Sequence, residues 1–120
     1  MKTKAVVAAL GALAQDTRLA IFRLLVQRGP DGMPAGTIAE ALKVHPSSMS
    51  FHLAQLVHAG LIVQRRAGRQ LIYSAAYDRM NALIGYLTEN CCQGDAAACG
   101  LPACAPTATP QPPTRRRTAA

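Results

Sequence analysis

The sequence predicts a mostly helical chain with one small β-hairpin, and three observations lead there. Apolar residues recur at helical spacing in five separate stretches. Two short apolar runs, Leu61-Ile62-Val63 and Leu71-Ile72-Tyr73, flank the turn signal Ala67-Gly68. Gly29, Pro30 and Gly32, then Pro46 and Gly60, punctuate the middle of the chain where one helical stretch gives way to the next. At 120 residues and 50% hydrophobic, the chain has material for one compact core. With no Trp, 2 Phe and 3 Tyr, that core must be built from Leu, Ile, Val, Met and Ala.

Val6, Leu10 and Leu13 mark a first helix over residues 3–14. Asp16 is placed to cap the second, its carboxylate accepting from a free amide of the first turn. Leu19, Phe22 and Val26, with Ile21 and Leu25 beside them, form that helix's apolar face, and Gly29, Pro30 and Gly32 end it. Residues 37–42 make a short third helix with Ile38, Ala39 and Leu42 inward. Pro46 opens the fourth, because proline there gives up only an amide that has no helical partner. His45 occupies the cap position, where Ser or Asp would be stronger. The fourth helix runs through Met49, Leu53, Leu56 and Val57 to stop at Ala59-Gly60. A fifth, over 77–89, is expected to bury Met80, Leu83, Ile84 and Leu87. The order helix, helix, helix-turn-helix, hairpin, helix describes a winged helix-turn-helix. The first and last helices carry apolar faces with no other partner in so small a domain, so they are expected to form a homodimer interface.

Charge points to the partner. The net charge is +7, and Arg65, Arg66 and Arg69 lie between Leu61 and Tyr73 with no acid among them. A basic strip of this kind suits a polyanion, and at the tip of a hairpin it suits phosphates or a minor groove. The fourth helix presents Ser47, Ser48, Ser50, His52 and Gln55, a short, polar, nearly uncharged set able to reach base edges. His52 equally fits a packed or capping role. Three more arginines, Arg115, Arg116 and Arg117, lie in a Pro- and Thr-rich tail over 107–120 that is expected to be disordered. No apolar run is long enough to span a bilayer, and residues 1–9 lack the apolar core and cleavage site of a signal peptide, so a cytoplasmic, non-membrane protein is expected.

All four cysteines, Cys91, Cys92, Cys99 and Cys104, fall within fourteen consecutive residues. In a reducing compartment such clustering suits soft-metal binding or redox sensing rather than a disulfide framework.

The segments Asp16-Thr17-Arg18-Leu19, Ser47-Ser48-Met49-Ser50-Phe51-His52-Leu53 and His58-Ala59-Gly60-Leu61-Ile62 resemble the hallmarks of the ArsR/SmtB family of metal-responsive repressors over about residues 5–92. His45 departs from the small cap that many members keep. The resemblance implies a winged-helix homodimer, paired through its first and last helices, on an imperfect palindrome of double-stranded operator DNA. It also implies an inducer site, of which the family has several. One uses cysteines at the start of the helix-turn-helix, and residues 37–44 have none. Another uses Asp and His along the last helix, which here offers Asp78 and Glu89 but no His. Cys91-Cys92 followed by Cys99 resembles the branch whose arsenite site is a vicinal cysteine pair after the last helix plus a third cysteine, with Cys104 as the competing third ligand. The inducer then expected is arsenite or antimonite, a methylated arsenite being the form a two-thiolate site would favour. The chain accordingly divides into a DNA-binding and dimerisation domain (1–92), a cysteine-containing inducer loop (93–106) and the tail (107–120).

Three other readings compete. Four thiolates would also hold zinc or cadmium, although adjacent cysteines suit a tetrahedral clamp less well than cysteines two apart. Vicinal thiols would also serve as a redox switch. A thiol-based arsenate reductase or metal-transfer protein would account for the cysteines but not for the serine-rich helix or basic hairpin. No cysteine sits at a strand-to-helix phosphate loop, and no hydrolase spacing appears. No enzyme is expected.

Overall fold

The computed structural model describes residues 1–89. Met1–Tyr86 form one compact unit; of a second, Leu87–Ala120, only the first three residues are described. In chain order the elements are α1 (Thr3–Leu13), α2 (Asp16–Arg28), β1 (Met33–Pro34), α3 (Ala35–Leu42), α4 (Pro46–His58), β2 (Ile62–Ala67), β3 (Gln70–Ala75) and α5 (Tyr77–Leu87). The strands form one antiparallel sheet in the order β1-β3-β2. This is the winged helix-turn-helix expected, with α3 and α4 as the helix pair and β2–β3 as the wing.

The core gathers Ile21 and Leu25 of α2, Ile38 of α3, and Met49, Leu53 and Leu56 of α4 around Leu61 and Ile62 at the start of the wing. All eight are under 2% exposed, so truncating any of them to alanine removes a full apolar side chain and leaves a cavity, a loss of about 2–5 kcal/mol. On α1 the buried residues are Val6, Ala9 and Ala12, not the expected stripe through Leu10, which is 41% exposed. Two alanines let α1 lie close against its neighbours. On α2 the apolar face is narrower than expected: Ile21, Phe22 and Leu25 turn inward while Leu19 is exposed. On α5 only Leu83 is buried, Met80 is half-buried, and Ile84 and Leu87 stay exposed.

Local chemistry accounts for most of the boundaries. The cap of α2 is Gln15 rather than Asp16: its Oε1 accepts from the Arg18 amide at 2.9 Å. Asp16 instead sits in the first turn, where its charge meets the positive end of the helix dipole. The Arg18 Nε then donates to the Ala12 carbonyl at 2.7 Å, pinning the corner between α1 and α2. Strand β1 leaves no mark on the sequence pattern because it is two residues long and half proline. Its register, Met33 opposite Tyr73 and Pro34 opposite Ile72, makes it an edge strand, where a missing amide is tolerated. The hairpin strands are longer than the apolar runs suggest, and the turn is Gly68-Arg69, one residue later than expected. Gly68, with φ 67°, takes the first of two loop positions, the glycine-first arrangement that matches the twist of a hairpin.

Both helices of the helix-turn-helix end in the same bonding pattern. At α4 the Leu61 amide reaches back to the Leu56 carbonyl at 3.0 Å and the Gly60 amide to the Val57 carbonyl at 2.9 Å, with Gly60 left-handed at φ 80°. At α3 the Val44 amide bonds the Ala39 carbonyl and the Lys43 amide the Glu40 carbonyl, with Lys43 left-handed at φ 56°. A Schellman end of this kind satisfies carbonyls that the helix leaves over, and it wants glycine at the left-handed position. Gly60 also abuts α5, since a β-carbon there would lie 3.0 Å from the Arg79 guanidinium.

Opposite substitutions at these two ends should therefore have opposite effects. Gly60→Ala is expected to lose roughly 1–2 kcal/mol, the left-handed penalty, with a further loss where Arg79 must move. Lys43→Gly is expected to gain about 1 kcal/mol by relieving the same strain. Urea midpoints at constant slope measure both.

Candidate nucleic-acid interface

The second helix of the pair, α4, is positioned by its buried stripe Met49, Leu53 and Leu56, which anchors it against α1, α2 and α3. The helical repeat turns the opposite side outward, and Ser47, Ser48, Ser50, Phe51, Ala54 and Gln55 are all exposed there. At the helix start, His45 does act as cap: its Nδ1 accepts from the Ser47 amide at 3.2 Å and lies 2.8 Å from the Ser47 hydroxyl. The Ser50 hydroxyl donates back to the Pro46 carbonyl at 3.3 Å. Two of the three serines thus have partners at their own end of the helix, while remaining open to solvent.

His52 stands apart from the other residues singled out on this helix. It is half-buried, its Nδ1 is shielded from solvent without a hydrogen-bond partner, and its ring meets Phe51 edge-on with centroids 5.8 Å apart. It flanks the buried stripe rather than the middle of the outward face. The middle belongs to Phe51, 58% exposed, which apolar periodicity does not distinguish from a core residue. The signal that singles it out is its register: it falls between the stripe positions Met49 and Leu53, on neither.

The wing is not a loose basic tip. Arg65 and Arg66 lie within β2, paired with Ile72 and Leu71, and only Arg69 is in the turn. Alternation sends the two strand arginines to opposite faces of the hairpin. The Arg65 guanidinium donates to the Asp31 carbonyl at 2.7 Å, fastening the hairpin to the loop before β1. Arg66 shares a sheet face with Gln64 and Tyr73, and those two line a groove against Ser50, Ala54, Val57 and His58 of α4. A second groove, between α3 and the wing, is bordered by Thr37, Glu40, Ser50, Arg69 and Leu71. Ser50 stands between the two, so α4 and the wing present one continuous surface: uncharged along the helix, cationic along the strand and tip.

Among the described residues no group of three or more His, Cys, Asp or Glu side chains is arranged to hold a metal ion. Cys91, Cys92, Cys99 and Cys104 lie outside the described residues, as do the loop over 93–106 and the tail over 107–120. Among the described residues no single helix is long and apolar enough to cross a membrane.

The wing geometry separates the three arginines. Replacing Arg66 and Arg69 with alanine should weaken binding to every DNA sequence alike and flatten the plot of log affinity against log salt by about 0.9 for each phosphate no longer neutralised. Arg65→Ala should instead act through the anchor to Asp31, lowering the melting temperature more than the salt slope. Fluorescence anisotropy across a salt series, with thermal melts alongside, distinguishes the two.

Comparison with known proteins agrees with this architecture. A family profile described as a helix-turn-helix domain matches residues 13–65. The chain is 41% identical over 69 residues to the HTH-type transcriptional regulator NmtR of Mycobacterium tuberculosis, covering 58% of this chain and 55% of NmtR. It is 32% identical over 85 residues to the HTH-type transcriptional regulator YgaV of Escherichia coli, covering 71% of this chain and 84% of YgaV. Among solved structures it is similar to Mb0332 of Mycobacterium bovis, a homodimeric winged helix-turn-helix DNA-binding domain described as a possible ArsR-family transcriptional regulator. That match has a TM-score of 0.59 and 28% identity, covering 77% of this chain and 85% of the other. A helix-turn-helix on a buried stripe, a cationic wing beside it, and relatives that are transcriptional regulators rather than enzymes lead to one conclusion: the chain belongs to the ArsR/SmtB-type family of winged helix-turn-helix transcriptional regulators.

Proposed function

We propose that this protein is a cytoplasmic, homodimeric repressor of an arsenic-resistance operon, released from operator DNA when the thiolates of Cys91, Cys92 and Cys99 bind arsenite or antimonite. The observation that carries this reading is the placement of all four cysteines in fourteen residues just after α5, with none in the ninety residues before them. Soft thiolate ligands select soft ions, and trivalent arsenic takes three of them in a pyramid. Adjacent cysteines supply two ligands from one turn. Six residues separate Cys92 from Cys99 and eleven separate it from Cys104, and the shorter loop closes at slightly lower entropic cost.

The dimer reading draws on α1 and α5. Val7 is 62% exposed and Leu10 41% on α1, and Ile84 is 43% exposed on α5. Thr3 and Tyr86 hold the two helices together through hydroxyls 2.6 Å apart. Apolar side chains left in water on neighbouring helices favour a second copy of the same surface, and Mb0332, with the same architecture, is homodimeric. Helix α5 also has routes to the DNA side. The Tyr77 hydroxyl donates to the Val26 carbonyl at 3.0 Å, and Arg79 packs on Gly60 at the exit of α4. A rearrangement at the end of α5 would therefore bear on both the dimer and the recognition helices. Those helices must meet half-sites about 34 Å apart, so small shifts matter. A coupling of about 3 kcal/mol weakens binding roughly 100-fold.

A mobility shift on the upstream region, titrated with arsenite, antimonite, zinc, cadmium and an oxidant, tests the inducer. Cys91→Ser, Cys92→Ser and Cys99→Ser are each expected to bind DNA normally and to lose release by arsenite, while Cys104→Ser keeps most of it. Survival of release in both Cys91→Ser and Cys92→Ser would remove the thiolate site. Release by zinc or cadmium that needs all four cysteines would replace it with a tetrahedral one, and release by oxidant alone with a redox switch.

The interface has its own test. Val7→Asp and Ile84→Asp each place a charge on an exposed apolar position, so the fold survives and monomers are expected by sedimentation, with operator affinity lost. Leu83→Asp would not discriminate, because Leu83 is part of the chain's own core. An intact dimer in both variants would move the interface elsewhere.

A further inference from the structure

We infer that Phe51 is the residue through which α4 reads thymine, its ring packing on the 5-methyl group in the major groove, with Ala54 extending the same apolar strip. The inference rests on α4 being the DNA-contacting helix and names a base that it selects.

Phe51 lies opposite the buried stripe Met49, Leu53 and Leu56, at the centre of the outward face, with 58% of its surface in water. Ala54, three residues on and also exposed, is its neighbour along that face. Ser47 and Ser48 precede the pair, and Gln55 follows it. No Lys, Arg, Asp or Glu occurs between Pro46 and Val57, so this face has nothing with which to hold a phosphate strongly. Its central pair has no hydrogen-bonding side chain at all. In the major groove the one apolar group on any base pair is the thymine methyl, and aromatic and alanine side chains are what pack on it. The ring is also held ready. His52, half-buried beside it, meets it edge-on at 5.8 Å and 64°, a favourable aromatic geometry. Gln55, one helical turn further on, suits a neighbouring adenine through its amide. Arg66 and Arg69 on the adjoining wing supply the charge complementarity that brings a polyanion, rather than an apolar partner, to this surface.

The test uses the wild-type dimer and chemically altered DNA. Selection from a random duplex library defines the half-site, and each thymine in it is then replaced singly by deoxyuridine, which keeps every hydrogen-bonding group and lacks only the methyl. One thymine per half-site is expected to show a loss of about four-fold, the worth of one buried methyl-sized group. Phe51→Ala should bind the thymine and uracil duplexes equally, while keeping the wild-type salt slope and dimer. Phe51→Leu, still apolar, should retain part of the preference for thymine. Uracil that is silent at every position, in a protein that still prefers the selected site to random DNA, would overturn the assignment and leave α4 as the reading helix. So would a preference for thymine that persists in Phe51→Ala, or a Phe51→Ala protein that is monomeric, which would make the ring a protomer contact. A wild-type protein that selects no sequence would overturn both the assignment and the reading of α4 beneath it.

Discussion

The chain must leave α4 in one direction if the wing is to lie beside that helix, and the backbone at Ala59-Gly60-Leu61 imposes the direction. The left-handed Gly60 reverses the path, the Leu61 amide closes the end of α4 on the Leu56 carbonyl, and the Leu61 carbonyl accepts from the Ala76 amide just before α5. Leu61 is itself fully buried against the core. One residue therefore joins the end of α4, the first strand of the wing and the start of the last helix. Backbone groups this deep in a core must be paired, so the junction is tolerant of neither rotation nor a bulkier residue at position 60. The geometry of the surface shared by α4 and the wing follows from it.

That surface divides its chemistry by element. Helix α4 shows hydroxyls, an amide, a methyl and an aromatic ring, and the wing shows guanidinium groups. Phosphate contacts supply affinity and its salt dependence, whereas base edges supply sequence preference. On the proposed reading, charge on a paired strand and its turn keeps long cationic side chains away from the helix that would enter the groove. Arg65 marks the limit of that division, since its guanidinium is engaged with the Asp31 carbonyl and serves the hairpin's attachment.

Helix α5 is where the proposed sensing and DNA binding meet. It is lightly buried, with Leu83 its only fully inward residue among those described, yet it is fastened at three places: Tyr77 to the end of α2, Arg79 against Gly60, and Tyr86 to Thr3 of α1. Tyr77, Met80 and Tyr86 pack on the core only partly buried, and a helix covered so incompletely can shift at lower cost than one buried along its length. That is the property required of the helix that the cysteine cluster follows.

What is legible in the sequence divides along a physical line from what is not. Number, order and ends of the helices come from local chemistry: Pro46 can only begin a helix, Gly29 and Gly60 adopt positive φ without strain, and the recurrence of Leu and Ile marks a stripe. The sequence by itself therefore determined the winged helix-turn-helix, the serine-rich outer face of α4 and the basic hairpin. It left the direction of each stripe open, because a period of 3.6 says that one side is buried but not what stands opposite. Packing settled that in favour of Ala9 and Ala12 over Leu10, Ile21 over Leu19, and Leu83 over Ile84. The pairing of Met33-Pro34 with β3, the tether from Arg65 to Asp31 and the outward stance of Phe51 join residues far apart in the chain or depend on which neighbours cover them. Only the tertiary structure decides such features, since their energy comes from contacts that no local pattern encodes.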